Sequence, residues 1–346
     1  MDTTSAAYWA QAQAIDPTLS RWQNHAKDLR RLQLRPQRYS RSALFDALAR
    51  QEAILFSDYP LRSTLRRFFH DDNPSLRLKT LFGPRTTTVT KSGRNWTVRT
   101  RRVHEMVDIW QRDRGMVFAN DIFYRHLKFD KSFDCEAIGD FSVLRHAPAR
   151  LRELEVATLL MGTTGCLTDS HSDDPDGCNH CIAGRKFWLV WDRLEGAAKG
   201  LQDSEYDLLA GNAACRFNVK AFSSLRSARW FTVAPGQTLF LPGNHTHKVI
   251  TIERYIGISN FYVGLPRPRL VVALENKRHA DGDRGALAGD REAAGQPAAR
   301  NSLSFPGLQT CLGVLSSRRI SPSLESKLDG SAENATAIRS SFQDAA

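Results

Sequence analysis

The chain has 346 residues, about two typical domains in length, of which 41% are hydrophobic and 25% charged. This balance excludes a wholly disordered or collagen-like chain. The formal net charge is +11, which raises the question of a nucleic-acid partner, because Lys and Arg clusters bind phosphates.

Residues 1–34 are expected to form a helical lead. From Tyr8 to Arg150, helical patterns such as Ser42–Arg50 and Arg99–Arg112 alternate with short apolar runs such as Ala53–Phe56, a mixed α/β texture. Residues 1–114 hold 21 Lys+Arg against 11 Asp+Glu and so carry nearly all of the net charge. The charges are scattered singly among apolar positions, which reads as a solvated face ahead of a nucleic-acid surface.

Between Leu154 and Val263 the texture becomes β. Val156–Met161, Cys181–Trp191, Arg229–Val233, Thr238–Leu241, His247–Ile252 and Tyr255–Val263 are apolar or β-branched runs bounded by Gly, Pro and Asn. Short strands at this spacing indicate a sandwich or barrel. Residues 264–346 turn to Ala, Gly, Asp, Arg and Ser and hold too few large apolar groups to offset ordering entropy. A mostly disordered tail is expected there, with Leu308–Leu315 its one ordered patch.

No run reaches the 18 or more apolar residues of a membrane span, and Met1–Ala10 lacks a basic start followed by an apolar stretch. The expectation is a cytoplasmic chain without a membrane partner. In that setting the six cysteines read as reduced thiols. Cys178-Asn-His-Cys181 has the spacing of half a zinc knuckle, but no second Cys-x-x-Cys completes it, and the pair reads as small buried hydrophobes.

His-x-Asp occurs at His70, His171 and His279. His279 lies in the low-complexity tail and His70 in a charged turn, whereas His171-Ser-Asp173 lies between two strand patterns. In an extended segment residues i and i+2 share one side, so His171 and Asp173 can grip one metal ion. A facial 2-His-1-carboxylate site needs a second His from another strand. Asn244-His-Thr-His247 supplies His245 and His247, and either could reach back.

Here the sequence resembles the JmjC-type, cupin-like Fe(II)- and 2-oxoglutarate-dependent dioxygenases. Thr168-Asp-Ser-His171-Ser-Asp173 matches their Thr-x-x-His-x-Asp motif. Gly184-Arg-Lys186-Phe-Trp188 matches a Gly-x-Lys-x-Trp-like strand. Pro235-Gly-Gln-Thr-Leu-Phe-Leu-Pro242, then His247, then Ser259-Asn260-Phe261, matches the second half. The resemblance covers about 110 residues closely.

It implies a mainly β fold with an α/β N-terminal region: a double-stranded β-helix (jelly-roll) core over about 154–263, within a catalytic domain 35–263. It implies Fe(II) on His171, Asp173 and His247, the last favoured over His245 by its interval from Pro242. It implies 2-oxoglutarate held by Lys186 and Thr168, with Asn179 and Asn260 as polar neighbours, and O₂ as the other co-substrate. The expected activity is hydroxylation of a C–H bond in a protein side chain or a small molecule. The alternatives are a lysine demethylase, in which the same hydroxylation removes a methyl group, and a non-catalytic cupin-like binding or scaffold protein.

Overall fold

The computed structural model of the chain describes residues 1–60, 73–91, 97–123, 157–173, 176–201, 217–243 and 245–262. The expected disordered tail, His70, His279 and Asp174 lie outside the described residues. The chain divides into two compact units, Met1–Phe141 with Val156–Gly264 and Ser142–Glu155 with Leu265–Ala346. The described residues belong to the first.

Helix α1 (Thr3–Ile15) begins at Asp2, whose carboxylate accepts from the Ser5 amide at 2.8 Å, a standard N-cap. It ends at Asp16, which in turn caps a 3₁₀ turn, Pro17–Leu19, by accepting from the amide and hydroxyl of Thr18. Helices α2 (Ala26–Arg31) and α3 (Arg41–Arg50) follow, then α4 (Pro74–Phe82) and α5 (Val103–Arg112). In α5 the buried residues Val103, Met106, Val107 and Trp110 recur at helical spacing and form one apolar stripe.

The strands are β1 (Ile54–Phe56), β2 (Thr86–Lys91), β3 (Thr97–Arg102), β4 (Val117–Phe123), β5 (Ala157–Gly162), β6 (Leu167–Ser172), β7 (Asp176–Asp192), β8 (Arg229–Val233), β9 (Thr238–Leu241) and β10 (His245–Tyr262). They pair antiparallel in the order β1-β9-β7-β10-β5-β4-β2-β3, with β6 added to β10 and β8 to β7. The helical expectation for Arg99–Arg112 is corrected at its start. Thr97-Val-Arg-Thr-Arg-Arg102 pairs with β2 as a strand over its whole length, and the helix begins only at Val103.

The long strands β7 and β10 organise the sheet. They lie together from Asp176↔Tyr262 to Asp192↔His245, and each changes its other partner midway. The first part of β7 pairs with β9 and the second with β8, while the first part of β10 pairs with β6 and the second with β5. The changeover coincides with register shifts between Thr251 and Gly257 and with Gly184 at φ +76°. Only glycine suits that point, because a Cβ there would lie 1.8 Å from the Arg254 carbonyl oxygen.

One face of this sheet is covered by helices. Trp9 and Ala12 of α1 pack with Phe187, Leu189 and Ile250; Leu44 and Leu48 of α3 pack with Phe240 and Cys178; α5 packs with Ile182, Ile256 and Ile258. Trp9 is fully buried, with ring centroids 5.1–5.8 Å from Trp22, Phe187 and Trp230. Truncating such a side chain costs about 3–5 kcal/mol. The opposite face forms its own cluster, in which Leu239 of β9, Phe231 of β8, Trp188 of β7 and both Val249 and Tyr255 of β10 meet. Contributions from both halves of the long strands converge on this second face.

Candidate metal centre

The second face carries the proposed ligands. His171 on β6 is the cross-strand partner of His247 on β10, and Val190 of β7 flanks His247 on the other side. The two imidazole centroids are 4.2 Å apart. Asp173, one residue past the end of β6, brings Oδ2 to 3.7 Å from His247 Nε2. One ligand atom from each of the three lies within 4.8 Å of the others, and they form the metal-competent cluster of the described residues. Ligand bonds of about 2.0–2.2 Å put donors at neighbouring positions of an ion about 3 Å apart, so the set closes on an ion by drawing together.

Both histidines are prepared to bind through Nε2. His171 Nδ1 is 2.8 Å from the Asp169 carbonyl and His247 Nδ1 is 3.1 Å from the His245 carbonyl. A carbonyl only accepts, so each Nδ1 carries the proton and each Nε2 presents its lone pair. Burial, followed by the neighbouring His171, holds the His247 pKa well below its ordinary value and keeps the ring neutral. Trp188 lies over His247 at 5.5 Å, and its buried indole N–H has no hydrogen-bond partner among the described residues. The donor set, two imidazoles and a carboxylate, fits a divalent first-row metal with open positions.

A β-bulge decides which other side chains join this face. Between His247 and Val249 on β10 there is one residue, but between their partners His171 and Thr168 on β6 there are two. The extra residue keeps Thr168 and His171 on one side although they are three apart. It also frees Asp169 to turn its carboxylate to the helix-covered side, where it meets Lys248.

Lys186 pairs with Thr251 and Val233 and so alternates onto the same face as Trp188 and Val190. Its Nζ lies 4.4 Å from the centre of the Tyr255 ring. Burial pushes its pKa down to about 8, partly offset by Cys166 and Cys181. No carboxylate among the described residues pairs with it, an arrangement that favours an anionic ligand. Asn179 shares this face, and its Oδ1 accepts from the Tyr255 hydroxyl at 2.5 Å.

Tyr255 therefore links Lys186 to Asn179, a role that no sequence motif announced. Asn260 is not brought to this group. It pairs with Cys178, whose side chain packs with Phe240 on the helix-covered face, while Ser259 is the residue opposite Asn179. His245 shares the parity of His247, but its Nδ1 points to the Gly243 carbonyl at 3.4 Å and it stands outside the cluster. Cys178 and Cys181 lie on opposite faces, Cys181 packing with Trp188, so they do not form a zinc half-site together.

An antiparallel sheet carrying a His-His-Asp cluster is compatible with a cupin-like fold, and the cluster is a possible metal site. No helix of the described residues is long and apolar enough to cross a membrane. Comparison of the sequence with protein-family models finds no match, and comparison with curated proteins finds none either.

Proposed function

We propose that this chain is an Fe(II)- and 2-oxoglutarate-dependent oxygenase of the JmjC, cupin-like type, with a double-stranded β-helix core, that hydroxylates a C–H bond of a protein side chain or a small molecule. The observation that carries the reading is the coexistence, on one sheet face, of the His171, Asp173 and His247 cluster and a buried ammonium, Lys186, with no counter-ion among the described residues.

In this reading His171, Asp173 and His247 hold the metal, and the Nδ1 hydrogen bonds to Asp169 and His245 fix which imidazole nitrogen they offer. Lys186 binds the distal carboxylate of 2-oxoglutarate as a point charge, assisted by the Thr168 hydroxyl. Tyr255 and Asn179 hold the Lys186 side of the site in place. Trp188, Val190 and Val249 form an apolar wall beside His247 and exclude water from the reacting atoms. When bound, iron with 2-oxoglutarate and O₂ supplies the oxidising chemistry that yields succinate, CO₂ and a hydroxylated substrate.

A retained ammonium clamp favours turnover over a scaffold role, since a binding module has no use for a desolvated, uncompensated lysine. The test is succinate formation from 2-oxoglutarate with Fe(II) and ascorbate, together with direct binding of Fe(II) and 2-oxoglutarate. A purified chain that binds neither ligand refutes the reading.

A further inference from the structure

Behind the metal cluster, on the helix-covered side, lies a buried ion triad that the function above does not use. Lys248 is 2% exposed, and its Nζ is 3.0 Å from Asp16 Oδ2 and 2.8 Å from Asp169 Oδ1. Asp16 is 3% exposed and Asp169 about one-third exposed. The three come from distant parts of the chain: Asp16 ends α1, Asp169 is in β6 and Lys248 is in β10.

Two of the three are tied to the metal cluster by the backbone, and Asp16 reaches it through Lys248. Lys248 follows His247 directly. Asp169 is one of the two bulge residues, with Ser170, and its two ends do two different things: its carboxylate accepts from Lys248 and its carbonyl accepts from His171 Nδ1 at 2.8 Å. A chain of polar contacts therefore runs from Asp16, ion-paired with Lys248, through the Lys248–Asp169 hydrogen bond to His171. Asp16 is itself fixed, since its other oxygen accepts from the Thr18 amide and hydroxyl and its amide donates to the Ala12 carbonyl.

Burying a charge is expensive unless it is paired, and an apolar residue at position 248 would suit the surrounding core. The arrangement becomes intelligible if it holds the bulge in one conformation. Without an anchor for the Asp169 carboxylate, the extra residue of β6 could relax to another position in the strand. The Asp169 carbonyl would then leave His171 Nδ1, and the imidazole would lose its orientation toward Asp173 and His247.

We propose that Lys248, Asp169 and Asp16 are positioning residues for His171, so that the N-terminal helix α1 is keyed to the geometry of the metal cluster. The inference rests on the reading of His171, Asp173 and His247 as a metal centre. Partners of ligating histidines typically change metal affinity by about 10–100-fold when removed.

The experiment is a Co²⁺ titration of the full chain, following both affinity and the visible ligand-field spectrum, at a temperature well below each variant's unfolding midpoint. Wild type, Lys248→Met, Asp16→Asn and the charge-balanced double variant Asp16→Asn/Lys248→Met are compared, with His247→Ala as the ligand-loss control. Positioning requires that Lys248→Met weaken Co²⁺ binding about tenfold or more with an altered spectrum, and that the double variant recover stability without recovering affinity. If Lys248→Met does not fold, Asp16→Asn alone should weaken binding about threefold or more. Folded variants with wild-type affinity and spectrum overturn the proposal while leaving the metal centre intact. Failure of the wild type to bind Co²⁺ overturns the metal centre and this inference with it.

Discussion

His171 on β6 and His247 on β10 face each other across one antiparallel pair, and each donates its Nδ1 proton to the carbonyl two residues before it. The backbone thus sets both tautomers before any ligand arrives, and both Nε2 atoms are left as donors toward the position beside Asp173.

Replacing either histidine by Ala should lower divalent-metal affinity at least about 100-fold, beyond the range for supporting residues, and abolish succinate formation. Calorimetric titration with Fe²⁺ or Co²⁺ measures the first and coupled succinate detection the second. His245→Ala should retain most of the affinity, because His245 stands outside the cluster; a loss equal to that of His247→Ala would transfer the ligand role to His245.

Lys186→Met should weaken 2-oxoglutarate binding by roughly 30-fold or more, the range for truncating one partner of a buried charge pair, and leave metal affinity near wild type. The relevant measurement is the split between the Kd for 2-oxoglutarate and the Kd for metal. Equal weakening of both would mean that Lys186 supports the fold of the site and not the co-substrate.

The depressed pKa of Lys186, about 8, gives two pH effects of opposite sign. Affinity for 2-oxoglutarate should fall as pH rises past about 8, as the ammonium loses its proton. Stability of the ligand-free chain should respond the other way. The unfolded lysine titrates near 10.5, so between about 8 and 10.5 the unfolded state holds more protons and this group's contribution to stability rises with pH. Its destabilising effect is complete below about 8 and gone above 10.5. Chemical denaturation of wild type and Lys186→Met across pH 7–10.5 should show this component in wild type alone.

Gly184→Ala should destabilise the chain by more than the ordinary cost of a point mutation, about 1 kcal/mol. The new Cβ meets the Arg254 carbonyl at 1.8 Å on a backbone with φ +76°, and neither atom is at the end of a flexible side chain. A shifted thermal midpoint checks this. An unshifted one would mean that β7 changes partners without a tight corner.

Cys166, Cys178 and Cys181 are all buried, and burial pushes the Cys181 thiol up to about 12. Iodoacetamide should leave all three unmodified in the native chain and label them once it is unfolded, as peptide mass mapping can record. Native labelling of Cys181 would contradict its place in the core beside Trp188.

Within a single strand the sequence was legible. Residues two apart share a face whatever the strand pairs with, so the coupling of His171 to Asp173, of Lys186 to Trp188, and of His245 to His247 could be read from spacing alone. Strand positions such as Arg229–Val233 and Thr238–Leu241 followed from their apolar runs and turn residues.

What spacing could not decide was how faces on different strands combine, because that depends on register, and register here is altered by bulges. The bulge in β6 placed Thr168 with His171 and turned Asp169 toward Lys248. The shifts in β10 put Ser259, and not Asn260, opposite Asn179. Tertiary pairing likewise chose His247 over His245, brought Tyr255 onto Lys186, and joined Asp16 to Lys248 from opposite ends of the domain. A period of two reports sides relative to a neighbour along the chain, and only the paired sheet converts those sides into a shared site.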